Sequence, residues 1–346
     1  MEKKEKSMEK PKGYIEHSGK AVERDERFEH VMAITLDPIT DNREGIIRCI
    51  TSRTGDVEVL GYVDRSELHV VKSDSPDHFE IGDRLAIKNE REIIEQLADD
   101  EFDFIGLEDP DIWIDEEKKL MHVYFTIPLR HKSKEGTITH LGHAVGKDFH
   151  SLEMTEPVLM SDDSKGRAKE VSIAPLNSKG FRYNLFESSD RKTDRYSTVR
   201  VAKVEDMGKT WEWGDEVFHP AEHNISWIAG HASPGPLLPK SFIDIGDGKL
   251  VGIMNGREAN QHEGDHIKYG MFSVGLFIYD YEHGKIDWVS PEPFIQDSEA
   301  KTITFASQFV EEAKGSGVLY AHVDDSFVRA YSLDAEEIKK LLPKER

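Results

Sequence analysis

The chain of 346 residues carries 45 Lys and Arg against 67 Asp and Glu, a formal net charge of −22. So acidic a surface repels phosphate backbones and anionic lipid, which argues against nucleic acid and membrane partners. No apolar run has the length of a transmembrane helix, no secretory h-region follows Met1, and the single cysteine, Cys49, leaves no internal disulfide and suits a reducing cytosol.

Residues 1–13, almost all Lys, Glu, Ser and Met, read as a disordered charged tail, and residues 14–346 as one domain with ample core. From there short β-type runs separated by turn residues dominate. Thr35 to Thr40 places Asp37 ahead of a proline, and the apolar run Ile46 to Ile50 carries Arg48 and an inert core Cys49. A helix is predicted at Glu90 to Leu97, with Asn89 as N-cap and Glu92 as its capping-box partner. The most informative segment follows: Gly106-Leu107-Glu108-Asp109-Pro110-Asp111-Ile112-Trp113 sets three carboxylates around a proline, ahead of the strand-like run His122 to Ile127. Crowded carboxylates repel one another, which keeps one protonated near neutral pH, and cleavage of a glycosidic bond requires such an acid. His140 and His143 fall on opposite faces of a strand, so no metal chelate is expected.

Further along, Arg167 to Pro175 contains Lys169 and Glu170, with Arg182 and Tyr183 on the expected partner strand. Trp227, read as packing or as a sugar-stacking ring, precedes His231, Ser233 and a Pro234-Gly235-Pro236 corner. Asn255-Gly256-Arg257-Glu258 comes next, then Asp324 and Asp325, then a second helix at Ala335 to Leu342 capped by Asp334. A loose repeat runs through all of this. Leu141 to Asp148, Val199 to Asp206 and Val274 to Asp280 are each an alternating strand leading to a turn and a short outer strand. Further copies lie at Val59 to Val71 and Val318 to Leu333. The repeat predicts an all-β chain, a five-bladed β-propeller with short peripheral helices. The inner strands of a propeller converge on an axial pocket, so the polar motifs should meet there.

The order E-D-P, K-[DE]-x-x-x-x-P, P-G-P corner and N-G resembles glycoside hydrolase family 130, the five-bladed β-mannosidases and β-mannoside phosphorylases. The closing segment Tyr320 to Tyr331 is similar to that family's last blade. The resemblance implies that Asp109 donates a proton through a substrate hydroxyl, that Arg48, Lys169 and Glu170 contact the sugar, and that no cofactor is needed. The wider set of five-bladed sugar hydrolases implies a carboxylate trio of Asp37, Asp109 and Glu170. Two departures stand out: Asp111 replaces the arginine of Glu-Asp-Pro-Arg, and Asn255-Gly256 replaces His-Gly. Both remove positive charge, which suits water activated by a carboxylate more than phosphate.

The expectation is therefore an inverting glycosidase acting on short β-linked manno-oligosaccharides, with Asp109 as acid and Glu170 or Asp111 as base. Asp37, Arg48, Glu108, Lys169, Arg182, His231, Asn255, Arg257 and Asp324 would surround the oligosaccharide. Inversion requires the two carboxyls roughly 6.5–9.5 Å apart. Phosphorolysis by inorganic phosphate at the same site is the first alternative, and a non-catalytic sugar-binding propeller the second. The oligomeric state is open, a homo-oligomer included.

Overall fold

The computed structural model describes residues 13–344, apart from 60, 135, 162–165, 191–194 and 264–265, so all but the last residue of the expected tail lies outside the described residues. Strands dominate. A short strand β1 (Tyr14–Glu16) precedes β2 (His30–Leu36), β3 (Glu44–Thr54), β4 (Val63–Ser75) and β5 (His78–Arg84), which form one antiparallel sheet. Helix α1 (Glu90–Ala98) leads to β6 (Phe102–Phe104), β7 (Glu108–Asp115), β8 (Leu120–His131), β9 (Thr137–Gly146) and β10 (Glu153–Met154), the second sheet. The third comprises β11 (Lys169–Ser172), β12 (Arg182–Ser189), β13 (Ser197–Val204) and β14 (Glu212–Phe218). The fourth runs β15 (His231–Leu237), β16 (Lys249–Arg257), then, past the small hairpin β17 (Gln261–Glu263) and β18 (His266–Lys268), β19 (Phe272–Asp280) and β20 (Lys285–Val289). The last contains β21 (Thr304–Ala313), β22 (Ser316–Val323) and β23 (Phe327–Asp334), with β1 as its outer strand and helix α2 (Ala335–Lys339) following.

Two observations close these sheets into a ring. The first strands touch in the cyclic order β2, β7, β11, β15, β21 and back to β2. The apolar core is also divided into clusters, one between each neighbouring pair of sheets. Ile46 and Leu68 pack on Val123 and Phe125, Tyr124 on Phe186, Leu185 on Met254, Val251 on Leu319, and Tyr320 on Val31 and Ile47. Middle strands covered on both faces lose the alternation of a half-exposed strand, which is why β3 has a continuous buried run from Gly45 to Ile50. The result is a five-bladed propeller, and the repeat copies fall on the third strand of blades one to four (β4, β9, β13, β19) and on β22–β23 of the fifth. Among the described residues no helix is long and apolar enough to cross a membrane.

The helices need two corrections. Helix α1 starts where predicted, but Asn89 is left-handed (φ 64°) and its amide donates to Glu153 Oε1 at 2.9 Å, so it caps nothing with its side chain. Asp334 does cap α2, accepting from the Glu337 N–H at 3.0 Å. That helix ends at Lys339 rather than Leu342, its last turn tightening into i−3 bonds such as Leu341 N–H to the Ile338 carbonyl.

Candidate active site

The site follows from a defect common to all five first strands. Each breaks register with its second strand: around Ala33 in β2, Asp109–Pro110 in β7, Glu170 in β11, Gly235–Pro236 in β15 and Ser307 in β21. An extra residue in an antiparallel ladder bends the strand and re-aims a side chain. In the first three blades that residue is left-handed without being glycine, with φ of 48° at Ala33, 48° at Asp109 and 50° at Glu170. Such backbone costs on the order of 1–3 kcal/mol and clusters where function requires it. Asp109 and Glu170 thus occupy equivalent positions, and blade one carries Ala33 at the third. The approach of β7 is fixed by Gly106 (φ 119°), which lies in a parallel bridge against Ser66 of blade one.

These side chains face a cavity of about 870 Å³ lined by all five blades. Arg48, Arg167, Lys169, Arg195 and Arg257 line it together with Asp109, Glu170, Glu187 and Asp325, so the lining is not an anionic surface in spite of the chain's overall charge. Arg48, opposite Met32 in the ladder, donates from Nη1 to Asp109 Oδ1 at 2.9 Å and from Nη2 to Glu108 Oε1 at 2.5 Å. Burial pushes Glu108 up to about 7, with Arg48 opposing. Burial, then the neighbouring Asp109 charge, hold the Glu170 carboxyl well above the usual range. Asp109, its neighbour in the cavity, is ion-paired to Arg48. Asp109 and Glu170, the expected acid and base, line one cavity from neighbouring blades.

A second charged group stands beside the pair. Glu187 on β12, opposite Lys169 across the ladder, is fully buried; it lies 3.5 Å from the Lys169 ammonium and 3.0 Å from His231 Nε2. Burial opposes its ionisation, but His231 and Lys169 outweigh that and hold it below the usual carboxylate range. Burial pushes His231 down to about 4, so the neutral imidazole donates its N–H to Glu187. On the far side Asp325 accepts from Tyr62 at 3.0 Å and from His322 Nε2 at 3.1 Å. Those bonds and the nearby arginines bring it to about 2 against the cost of burial. Arg257 is 7% exposed and sits over the Tyr269 ring at 4.3 Å, with its guanidinium on Asn260. No carboxylate pairs with it among the described residues. Backbone contacts between Glu58–Val59 and Lys268–Tyr269 join blade one to blade four across the fifth and roof that side of the cavity.

Asp109, Glu170, Arg48, Lys169, His231 and Arg257 of the expected set meet here, with Glu108 directly behind Arg48. The others lie elsewhere. Asp37 caps a short turn by accepting from the Ile39 N–H at 2.9 Å, so the expected trio is a pair. Asp111 lines a smaller cavity that Asp109 and Glu170 also border, and burial pushes it up to about 7. Arg182 packs on Trp113 and donates to the Ala174 carbonyl. Asn255 is a buried bridge to the backbone of Ala306, at 2.9 Å and 2.8 Å. Asp324 accepts from the backbone of Lys301, Thr302 and Ile303, leaving the cavity to Asp325. Trp227 is core, its indole donating to the Ser290 carbonyl at 2.9 Å. Glu187, Tyr62 and His322 were not singled out by the sequence.

No protein-family model and no curated protein sequence matches the chain. Its structure is similar to that of a β-1,2-mannobiose phosphorylase from Listeria innocua in complex with β-1,2-mannobiose, at 13% identity, 96% of this chain, 98% of the other and a TM-score of 0.65. A glycosyl hydrolase from Bacteroides ovatus is similar at 17% identity, 90% and 85% coverage and a TM-score of 0.59. So is MPT-4, a mannose phosphorylase from Leishmania mexicana in complex with phosphate, at 13% identity, 94% and 90% coverage and a TM-score of 0.57. At these identities the likeness is one of fold.

Proposed function

We propose that this chain is a divergent member of glycoside hydrolase family 130 that cleaves short β-linked mannosides by phosphorolysis, with the Asp109–Glu170 pair as the acid. Motif order along the chain and the shared fold support the family. Two carboxyls brought to one cavity at equivalent bulges, with Glu170 held above the usual range, support catalysis over binding alone.

The observation that carries phosphorolysis over hydrolysis is Arg257. A buried guanidinium with no carboxylate partner among the described residues is costly, and it is stabilised when an anion enters beside it. Arg195 and Arg167 line the same cavity. Neither of the two replacements that favoured water lines the cavity beside Arg257: Asp111 borders the smaller one, and Asn255 is bonded to the backbone of Ala306. In this reading the sugar binds over the Asp109–Glu170 pair, which protonates the leaving group, and phosphate attacks the anomeric carbon from the Arg257 side.

The test is product analysis on β-mannobioses with and without millimolar phosphate. Cleavage is expected only with phosphate, with mannose 1-phosphate accumulating, and Arg257→Met is expected to raise KM for phosphate at least tenfold. Free mannose released at the same rate in phosphate-free buffer would make the enzyme a hydrolase.

A further inference from the structure

We infer that Glu187 is a positioning residue: it fixes the Lys169 ammonium and the His231 ring on its own side of the cavity and so keeps that ammonium off the Asp109 and Glu170 carboxyls. The inference rests on the reading of that pair as the acid.

The geometry leaves Glu187 little other role. It is fully buried and is reached by groups from three separate elements, Lys169 on β11, His231 on β15 and, through space, Arg167 ahead of β11. Lys169 is adjacent in sequence to Glu170 and feels Glu187 first, then Asp109 and Glu170. With Glu187 ionised, the ammonium has its counter-ion behind it. Without Glu187, the nearest negative charge for Lys169 is the pair itself. An ammonium drawn onto the two carboxyls favours their ionised forms, and an acid that has lost its proton cannot donate one. The negative charge of Glu187 also acts directly, raising Glu170. Both effects have one sign. The other charges facing the pair, Arg48 on Asp109 and Glu108 behind Arg48, are unaltered by a change at position 187.

Two variants with opposite expected signs test this. Glu187→Gln keeps the shape and removes the charge; the basic limb of the kcat/KM profile is expected to move to lower pH by about one unit. Lys169→Met removes the ammonium and is expected to move that limb to higher pH. A parallel infrared titration of the carboxylic acid C=O band, assigned by its loss in Glu170→Gln, is expected to shift in the same two directions in protein without substrate. A uniform fall in activity, with both the basic limb and the infrared titration of Glu187→Gln unmoved, would make Glu187 merely structural. Infrared shifts in both directions without turnover on any mannoside would uphold the positioning role and overturn the proposed activity instead.

Discussion

Asp109→Asn is expected to lower kcat by on the order of 10²–10⁴-fold while the protein remains folded and binds sugar. The amide cannot donate a proton in acid catalysis, and the loss of the Asp109 charge removes one cause of Glu170's raised proton affinity. Folding should survive because asparagine adopts left-handed backbone at least as readily as aspartate, and φ at this position is 48°. Steady-state kinetics together with a thermal melt check both halves. Full activity would place the acid elsewhere, and a collapsed melt would make Asp109 a structural carboxylate.

The largest expected stability loss is at Gly106→Ala, more than about 4 kcal/mol by denaturant unfolding. A methyl group there would run into the Ser66 carbonyl and amide, which are backbone and cannot swing away. The φ of 119° is in addition a conformation that alanine avoids. The effect should reach the cavity as well, because Ser66 donates to the carbonyls of Ile105 and Leu107 and so sets the start of β7. A loss below 1 kcal/mol would mean that blades one and two can separate at this point without cost.

The sequence made the architecture legible where strands are long and regular. Its repeat copies mark the third strands, such as β9 and β19, whose patterning is unbroken over nine or ten residues. The first strands carry the site and are the least regular. β11 is four residues long and already contains a register break, so no period can be read from it. That is why Asp37 stood in for a position that Ala33 occupies. Asn255 lies two residues from Arg257 on one strand and was read with it, yet its partner is Ala306, 51 residues away. Glu187 was hidden for another reason: no motif adjoins it on β12, and only the fold brings it to its partners, Lys169 on β11 and His231 on β15. Asp109, Lys169, Glu170 and His231 were found because each lies in or beside a motif with a proline or glycine that marks the bulge or turn, and Arg48 because it is a lone charge in the apolar run Ile46 to Ile50.

The pairing of Tyr14–Glu16 with Tyr331–Leu333 has a consequence for how the molecule assembles. Its partners lie more than 300 residues apart, and contacts of such range form late because chain entropy is surrendered before they reward it. Until β1 arrives, β23 exposes an unpaired edge, the kind of template onto which another copy's strand can add. Tyr14 also closes an aromatic contact with Phe294 and Tyr331, so its arrival anchors side chains as well as backbone. A variant lacking residues 13–16 is therefore expected to fold its first four blades and to self-associate through the fifth, seen as concentration-dependent light scattering and slower recovery after denaturation. A monodisperse variant that refolds at the parent rate would show that the packing of Tyr320 against Val31 and Ile47 completes the ring without the strand.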